Sequence, residues 1–309
     1  MLPHAGAFAP TVLHAISDFV ARHAIAVLAA ITIATLALSA ASWRLLATVG
    51  PRTWPLVIDL WNRARQTKFA RRVRKLPLLG RVLSDTLTVA RYLGIVAVVG
   101  FVLSAAAIVL FFELVDEIGV GESLAEFDVA LSAALREHLP LETLHVFSII
   151  TRLGDPEVLV VIGGVVFAVL AARRRNLIAA SWVVTTLGGA LMNRLLKSIF
   201  ERSRPIHDHG LAMGEGWSFP SGHASGSMLV YGLLAYIVVR NTPPVWHIPV
   251  ALLGIALVIF VGSSRVLLQV HYLSDVLAGY ASAAACVAVC VAALEAMRWR
   301  EQQASRASP

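Results

Sequence analysis

Seven apolar runs, at about 24–43, 92–112, 158–172, 177–196, 224–239, 248–262 and 276–294, constrain this chain more than any other feature. A helix crossing a bilayer needs about 20 apolar residues. Lipid offers no partner to an unpaired backbone amide, so such runs must fold as helices. The resulting expectation is an all-α polytopic membrane bundle of seven helices, a six-helix core preceded by one extra N-terminal span, although two of the runs are short. With 15% charged residues the chain lies far below the ~25% of a soluble domain. Soluble, disordered, collagen-like and disulfide-rich classes are excluded. Three segments follow: 1–91, an anchor and a basic loop; 92–294, the membrane domain; and 295–309, a polar tail whose last residues, from Glu301, should fray. The first run is too long and too poorly flanked for a cleaved signal peptide, so it is read as a retained anchor.

The formal charge of +7 is concentrated rather than spread. Between Arg44 and Arg91 lie Arg52, Arg63, Arg65, Lys68, Arg71, Arg72, Arg74, Lys75 and Arg81, opposed by Asp59 and Asp85 alone. That pattern reads as a cytoplasmic loop beside anionic lipid, with membrane lipids as its partners and no nucleic acid. Taking 44–91 as inside, alternate crossings deliver Arg173, Arg174 and Arg175, then Arg240, then Arg298 and Arg300 to the same face. Segments 113–140, 197–223 and 263–275 then share the outer face. Residues 124–139 read as an interfacial helical cap, and Leu141 to Leu153 as an interfacial stretch that turns at Gly154-Asp155-Pro156. Cys286 and Cys290 lie at helical spacing in an apolar run and read as packing residues.

Charged side chains at membrane helix ends are costly, and several converging on one face make a functional hypothesis. The first group is Lys197-Ser198-Ile199-Phe200-Glu201-Arg202-Ser203-Arg204-Pro205. On a continuous helix the spacing of Lys197 and Arg204 is nearly two turns, which sets both cations on one face; the alternative is that each snorkels to lipid head groups. The second is Pro220-Ser221-Gly222-His223, opening directly into an apolar run. This reads as a helix start whose unpaired amides favour an anion, with Ser221 and Gly222 as donors; the plain alternative is a buried, satisfied histidine. The third is Ser264-Arg265, then His271 and Asp275. In a helix the last two share a face, and a carboxylate bonded to one imidazole nitrogen leaves the other free as a nucleophile; a structural cap is the alternative. His207-Asp208-His209 lacks spaced partners for a metal and reads as a loop near the site entrance.

Together the three groups place cations, two histidines, an aspartate and a helix N-terminus on one membrane face, a set suited to phosphoryl transfer. The ordered series Lys-x6-Arg-Pro, Pro-Ser-Gly-His and Ser-Arg-x5-His-x3-Asp resembles the three-part signature of the type 2 phosphatidic acid phosphatase superfamily, over roughly residues 92–294. The resemblance implies that Lys197, Arg204 and Arg265 hold phosphate oxygens, assisted by Ser221 and the Gly222 amide. It implies further that His271 is the nucleophile, that Asp275 orients it, and that His223 protonates the departing oxygen and later activates water. No metal or other cofactor enters that scheme.

A phosphate site at the outer membrane surface suits a lipid phosphate or diphosphate whose tails stay in the bilayer. The expectation is a bacterial inner-membrane lipid phosphatase facing the exterior. Its candidate substrates are undecaprenyl diphosphate, slightly favoured, then phosphatidylglycerol phosphate, phosphatidic acid and lipid A phosphate. A lipid phosphotransferase, a lipid transporter or flippase, and a regulatory protein acting through the basic loop are the alternatives.

Overall fold

The computed structural model describes residues 10–41, 44, 89–119, 121–212, 214 and 216–307. The basic loop expected at 44–91 therefore lies almost entirely outside the described residues. Among those residues every regular element is helical: α1 (Pro10–Arg22), α2 (Ala24–Ala41), α3 (Val89–Asp116), α4 (Ser123–His138), α5 (Leu141–Thr151), α6 (Pro156–Ala172), α7 (Asn176–Phe200), α8 (Gly222–Val239), α9 (His247–Leu267) and α10 (Leu273–Ala307). A π-helical turn, Met228–Gly232, interrupts α8.

The expected all-α polytopic bundle is the observed architecture. Five helices, α2, α3, α8, α9 and α10, are long and apolar enough to cross a membrane. The run at 158–172 is not a short lone span. Leu141–Gly154 and Pro156–Ala172 form a pair bent by 40°, which makes a sixth crossing if taken as one. The 141–153 stretch, expected to lie in the interface, is thus the first arm of that pair. Asp155 breaks it with extended backbone, followed by Pro156 at the first helical position of α6, where proline loses no intrahelical bond. The run at 177–196 becomes α7, 25 residues long, or ~37 Å at 1.5 Å per residue; it is not among the helices apolar enough to cross, so the described residues hold five such spans, or six with the bent pair, where seven were expected. The tail expected to fray from Glu301 is helical through Ala307.

The side chains are sorted for lipid. Phe101, Val160, Val184 and Leu38 are all about 70% exposed, a distribution that would be a large apolar surface in water but is ordinary against acyl chains. Inside, Trp182 of α7, Leu233 of α8 and Val261 of α9 form the main core. A second cluster joins Ala21, Ala24 and Leu28 to Leu131, Leu135, Leu144, Leu268 and Val270. The extra N-terminal helices therefore pack on α4, α5 and the loop after α9, and His138 Nε2 meets Asp18 Oδ1 at 2.6 Å across that contact.

Of the basic groups expected on one face, Arg240 lies away from the motifs. Arg240, just past α8, pairs with Glu295 of α10 at 2.7 Å, whereas the motif residues gather where α8 and α10 begin. Gly279 sets the approach of those two helices: a Cβ there would stand 2.7 Å from the Ser221 carbonyl oxygen and 3.1 Å from Ala224 Cβ. Backbone cannot yield as a flexible side chain can, so Gly279→Ala should destabilise the protein by ~1–3 kcal/mol. A lowered thermal midpoint in detergent would show this, and an unchanged midpoint would mean the helices separate without cost.

Candidate active site

The site forms where three distant stretches meet at one end of the bundle. The first leaves α7. Lys197, in its last turn, donates through Nζ to the carbonyl oxygens of Trp217 and, at 3.3 Å, Ser218. The helix stops at Phe200 because Glu201 adopts a left-handed conformation (φ 43°), uncommon for a side chain with Cβ. Lys197 and Arg204 therefore do not share a helix face, contrary to what their spacing predicts. Arg204 sits on extended chain and reaches the same place by another route, donating to the carbonyls of Gly216 (2.9 Å), Trp217 (3.2 Å) and Val270 (2.7 Å).

The third motif supplies the centre. His271 and Asp275 are not on one helix either, since α10 begins at Leu273 and His271 precedes it. They meet because the first turn of α10 folds the carboxylate back: Asp275 Oδ2 accepts the Tyr272 amide at 2.8 Å, the reciprocal half of a capping box. The same oxygen lies 3.4 Å from His271 Nδ1 and accepts the Ser218 hydroxyl. His271 Nε2 is thereby left facing Arg204 Nη1 at 3.1 Å. A proton on Nδ1 and a lone pair on Nε2 satisfy both contacts. Burial pushes the His271 imidazole down to about 3, Asp275 pulling the other way and Arg204 and Arg265 adding to the depression. Burial also lowers Arg204, with Asp275 opposing.

The second motif closes the site. Ser221 precedes the first residue of α8, its amide donating to the Asp275 carbonyl at 2.9 Å, so the two helix starts are joined through backbone. Its buried hydroxyl has no hydrogen-bond partner among the described residues, and neither does Nε of Arg265. Arg265 is 4% exposed and donates from Nη1 to Thr151 at 2.8 Å. Gly222 opens α8 beside Asn193, whose amide donates to the Pro220 carbonyl at 3.4 Å. His223 Nε2 contacts Asp155 Oδ1 at 2.9 Å.

Each residue named from the motifs thus lies in this one cluster: Lys197, Arg204, Ser221, Gly222, His223, Arg265, His271 and Asp275. Buried donors without partners beside three cations and a neutral imidazole are the groups an anion site with a nucleophile would use. Several contributors went unread. Asp155 reads in the sequence as a turn residue and Asp128 as part of the helical cap at 124–139, while Arg202 lies among neighbouring charges and Ser218 and Ser274 carry no pattern. The proximity of Asp155 to a proline-started helix was the one available signal. His207 and His209 contact the carbonyl oxygens of Ala212 (3.2 Å) and Leu268 (2.8 Å), and no cluster that could hold a metal occurs among the described residues.

A histidine in an unfolded chain titrates near 6.5. Because His271 is depressed in the fold, the stability it contributes is full above that value and is lost as pH falls toward about 3. Between about pH 7 and about pH 4, the thermal midpoint of the wild type should therefore fall more steeply than that of His271→Asn. Parallel profiles would mean that the imidazole is protonated as readily in the fold as outside it.

Comparison with known proteins gives three results. Residues 177–299 match the family model described as PAP2 superfamily. Phosphatidylglycerophosphatase B of Bacillus subtilis strain 168 is 35% identical over 97 residues, 29% of this chain; the match spans 45% of that relative's length. The crystal structure described as the first transmembrane PAP2 type phosphatidylglycerolphosphate phosphatase, from Bacillus subtilis, superposes with a TM-score of 0.56 and 27% identity, covering 62% of this chain and 95% of that one.

Proposed function

From the match of residues 177–299 to the PAP2 superfamily model, we propose that this chain is an integral membrane lipid phosphatase working through a phosphohistidine on His271. The observation that carries the reading is the orientation of that ring: Nδ1 toward Asp275 at 3.4 Å, Nε2 toward Arg204 at 3.1 Å, in a buried and neutral state. Nε2 is the nitrogen directed at the cations, so a phosphate held by them meets a lone pair.

In the first step Nε2 attacks phosphorus and the bond from phosphorus to the lipid oxygen breaks. Lys197, Arg204 and Arg265 take the charge on the equatorial oxygens, with the Ser221 hydroxyl and the Gly222 amide as further donors. For this step His223 must enter carrying a proton on each ring nitrogen, its charge held by Asp155, and it gives one of them to the departing oxygen. Asp275 stabilises the cationic phosphoimidazole through Nδ1–H. In the second step neutral His223 takes a proton from water, the resulting hydroxide attacks phosphorus, and the phosphorus–nitrogen bond breaks to return neutral His271 and free phosphate. Positive charge comes from the chain's own side chains, and no step is routed through a metal.

The names of the two relatives make phosphatidylglycerophosphate the first substrate to test, ahead of undecaprenyl diphosphate, phosphatidic acid and lipid A phosphate. The site is proposed to face the exterior of a bacterial inner membrane, because Arg240 and its neighbours at the far end of the bundle match the cytoplasmic excess of basic residues.

Purified protein in detergent with chelator should release inorganic phosphate from at least one lipid of that panel. His271→Ala should lower release at least ~10³-fold with the protein still folded. Transfer of label to a second lipid would make it a phosphotransferase, and no chemistry on any substrate would favour a transporter. Asp155→Asn should lower kcat ~10- to 100-fold, because the group that protonates the leaving oxygen loses its anionic partner. An unchanged kcat would take Asp155 out of the mechanism.

A further inference from the structure

Two carboxylates are buried at the start of α10, yet only Asp275 faces His271. The other, Asp128 of α4, is 1% exposed. Its Oδ1 accepts the Ser274 amide at 3.2 Å, and its Oδ2 accepts Arg202 Nη2 at 2.9 Å and the Ser274 hydroxyl. One guanidinium joins the pair. Arg202 Nη1 donates to Asp275 Oδ1 at 2.6 Å and to Ser274 Oγ at 2.7 Å, while its Cζ lies over the Tyr272 ring, 4.4 Å from the centroid. Tyr272, Ser274 and Asp275 are all in contact with this network.

The arrangement bears on the nucleophile in two ways. A helix start leaves its first amides without intrahelical partners, and here the Ser274 amide is satisfied by a residue from another helix, so Asp128 helps decide where α10 begins. Arg202 holds Oδ1 of Asp275, which leaves Oδ2 turned to His271. The contact from Oδ2 to Nδ1 is 3.4 Å, at the outer limit of a hydrogen bond, so a further slip of the carboxylate would break it. Arg202 has both terminal nitrogens on carboxylates, unlike Arg204, which lies against the nucleophilic ring.

We infer that Arg202 and Asp128 are positioning residues for the reaction proposed above, on which this inference rests: together they clamp Asp275 in the orientation that aims His271, making α4 a working part of the site. Neither touches the reacting atoms. Their substitution should therefore reduce the chemical step and leave lipid binding nearly unchanged.

The test compares Asp128→Asn, Arg202→Lys, Arg202→Gln and the double Asp128→Asn/Arg202→Gln in phosphate release from the lipid on which the wild type is most active. Asp128→Asn and Arg202→Gln are expected to lower kcat ~10- to 100-fold with KM changed less than ~2-fold. Arg202→Lys should recover part of the loss, since one ammonium can hold one carboxylate but not bridge two. The double variant should be about as slow as the slower single one, because the two act as a unit. Should Arg202→Gln not fold, the near-isosteric Asp128→Asn and the charge-retaining Arg202→Lys carry the comparison. Wild-type kcat in folded Asp128→Asn, a loss confined to KM, or additive losses in the double variant would each overturn the clamp. Wild-type protein inactive on every lipid would remove the phosphatase reading and the clamp with it, whereas an active wild type with unaffected variants would remove the clamp alone.

Discussion

The carboxylate of Asp275 is the group on which the rest of this structure turns. It is fully buried, and an ionised carboxylate withdrawn from water costs several kcal/mol unless partners replace its hydration. Here the partners come from separate stretches: Arg202 from the chain after α7, Ser218 from the segment before α8, and His271 with the Tyr272 amide from the entry to α10. Its backbone carbonyl accepts the Ser221 amide as well. One residue therefore ties the three motif segments together, and satisfying its charge is the same event as assembling the site.

That requirement explains why the end of the bundle that holds the site is polar inside a protein whose flanks are apolar. Helices α8 and α10 start side by side, brought together at Gly279, so their first turns face the same small volume. Arg265 rises into it from the end of α9, and Lys197 and Arg204 approach from α7 and its extension. Three cations in close quarters repel one another, and the carbonyl oxygens of Trp217, Gly216 and Val270, with Asp275 behind His271, offset the repulsion in the free protein. A dianionic phosphate ester is the kind of ligand that relieves it further. His223 stands on the other side with its own carboxylate, Asp155, so each of the two histidines has an acidic partner.

Much of this was legible before any coordinates. Apolar length predicted the helices, because a chain in lipid has few other ways to satisfy its backbone, and the parity of basic residues placed 197–223 and 263–275 on one face. The motif residues were named from the order and spacing of three short runs. Local geometry was less legible. The Lys197 and Arg204 spacing suggested a single helix face, but a left-handed Glu201 ends the helix between them. The His271 and Asp275 spacing suggested a helical pair, but the contact is made across a helix start. In both cases the residues still meet, because what the spacing encodes is reach into a shared volume rather than membership of one helix.

Apolar length and the order and spacing of short charged runs are local properties of the chain, and from them came the membrane bundle and the identity of the charged groups that converge. Which carboxylate partners which base is a different kind of information. Asp128 reaching Ser274 and Arg202, Asp155 reaching His223, and the N-terminal helices packing on α4 are contacts between segments far apart in the chain. Their pairing is decided by how the ten described helices pack, since burying a charge leaves it no choice but the nearest group able to satisfy it.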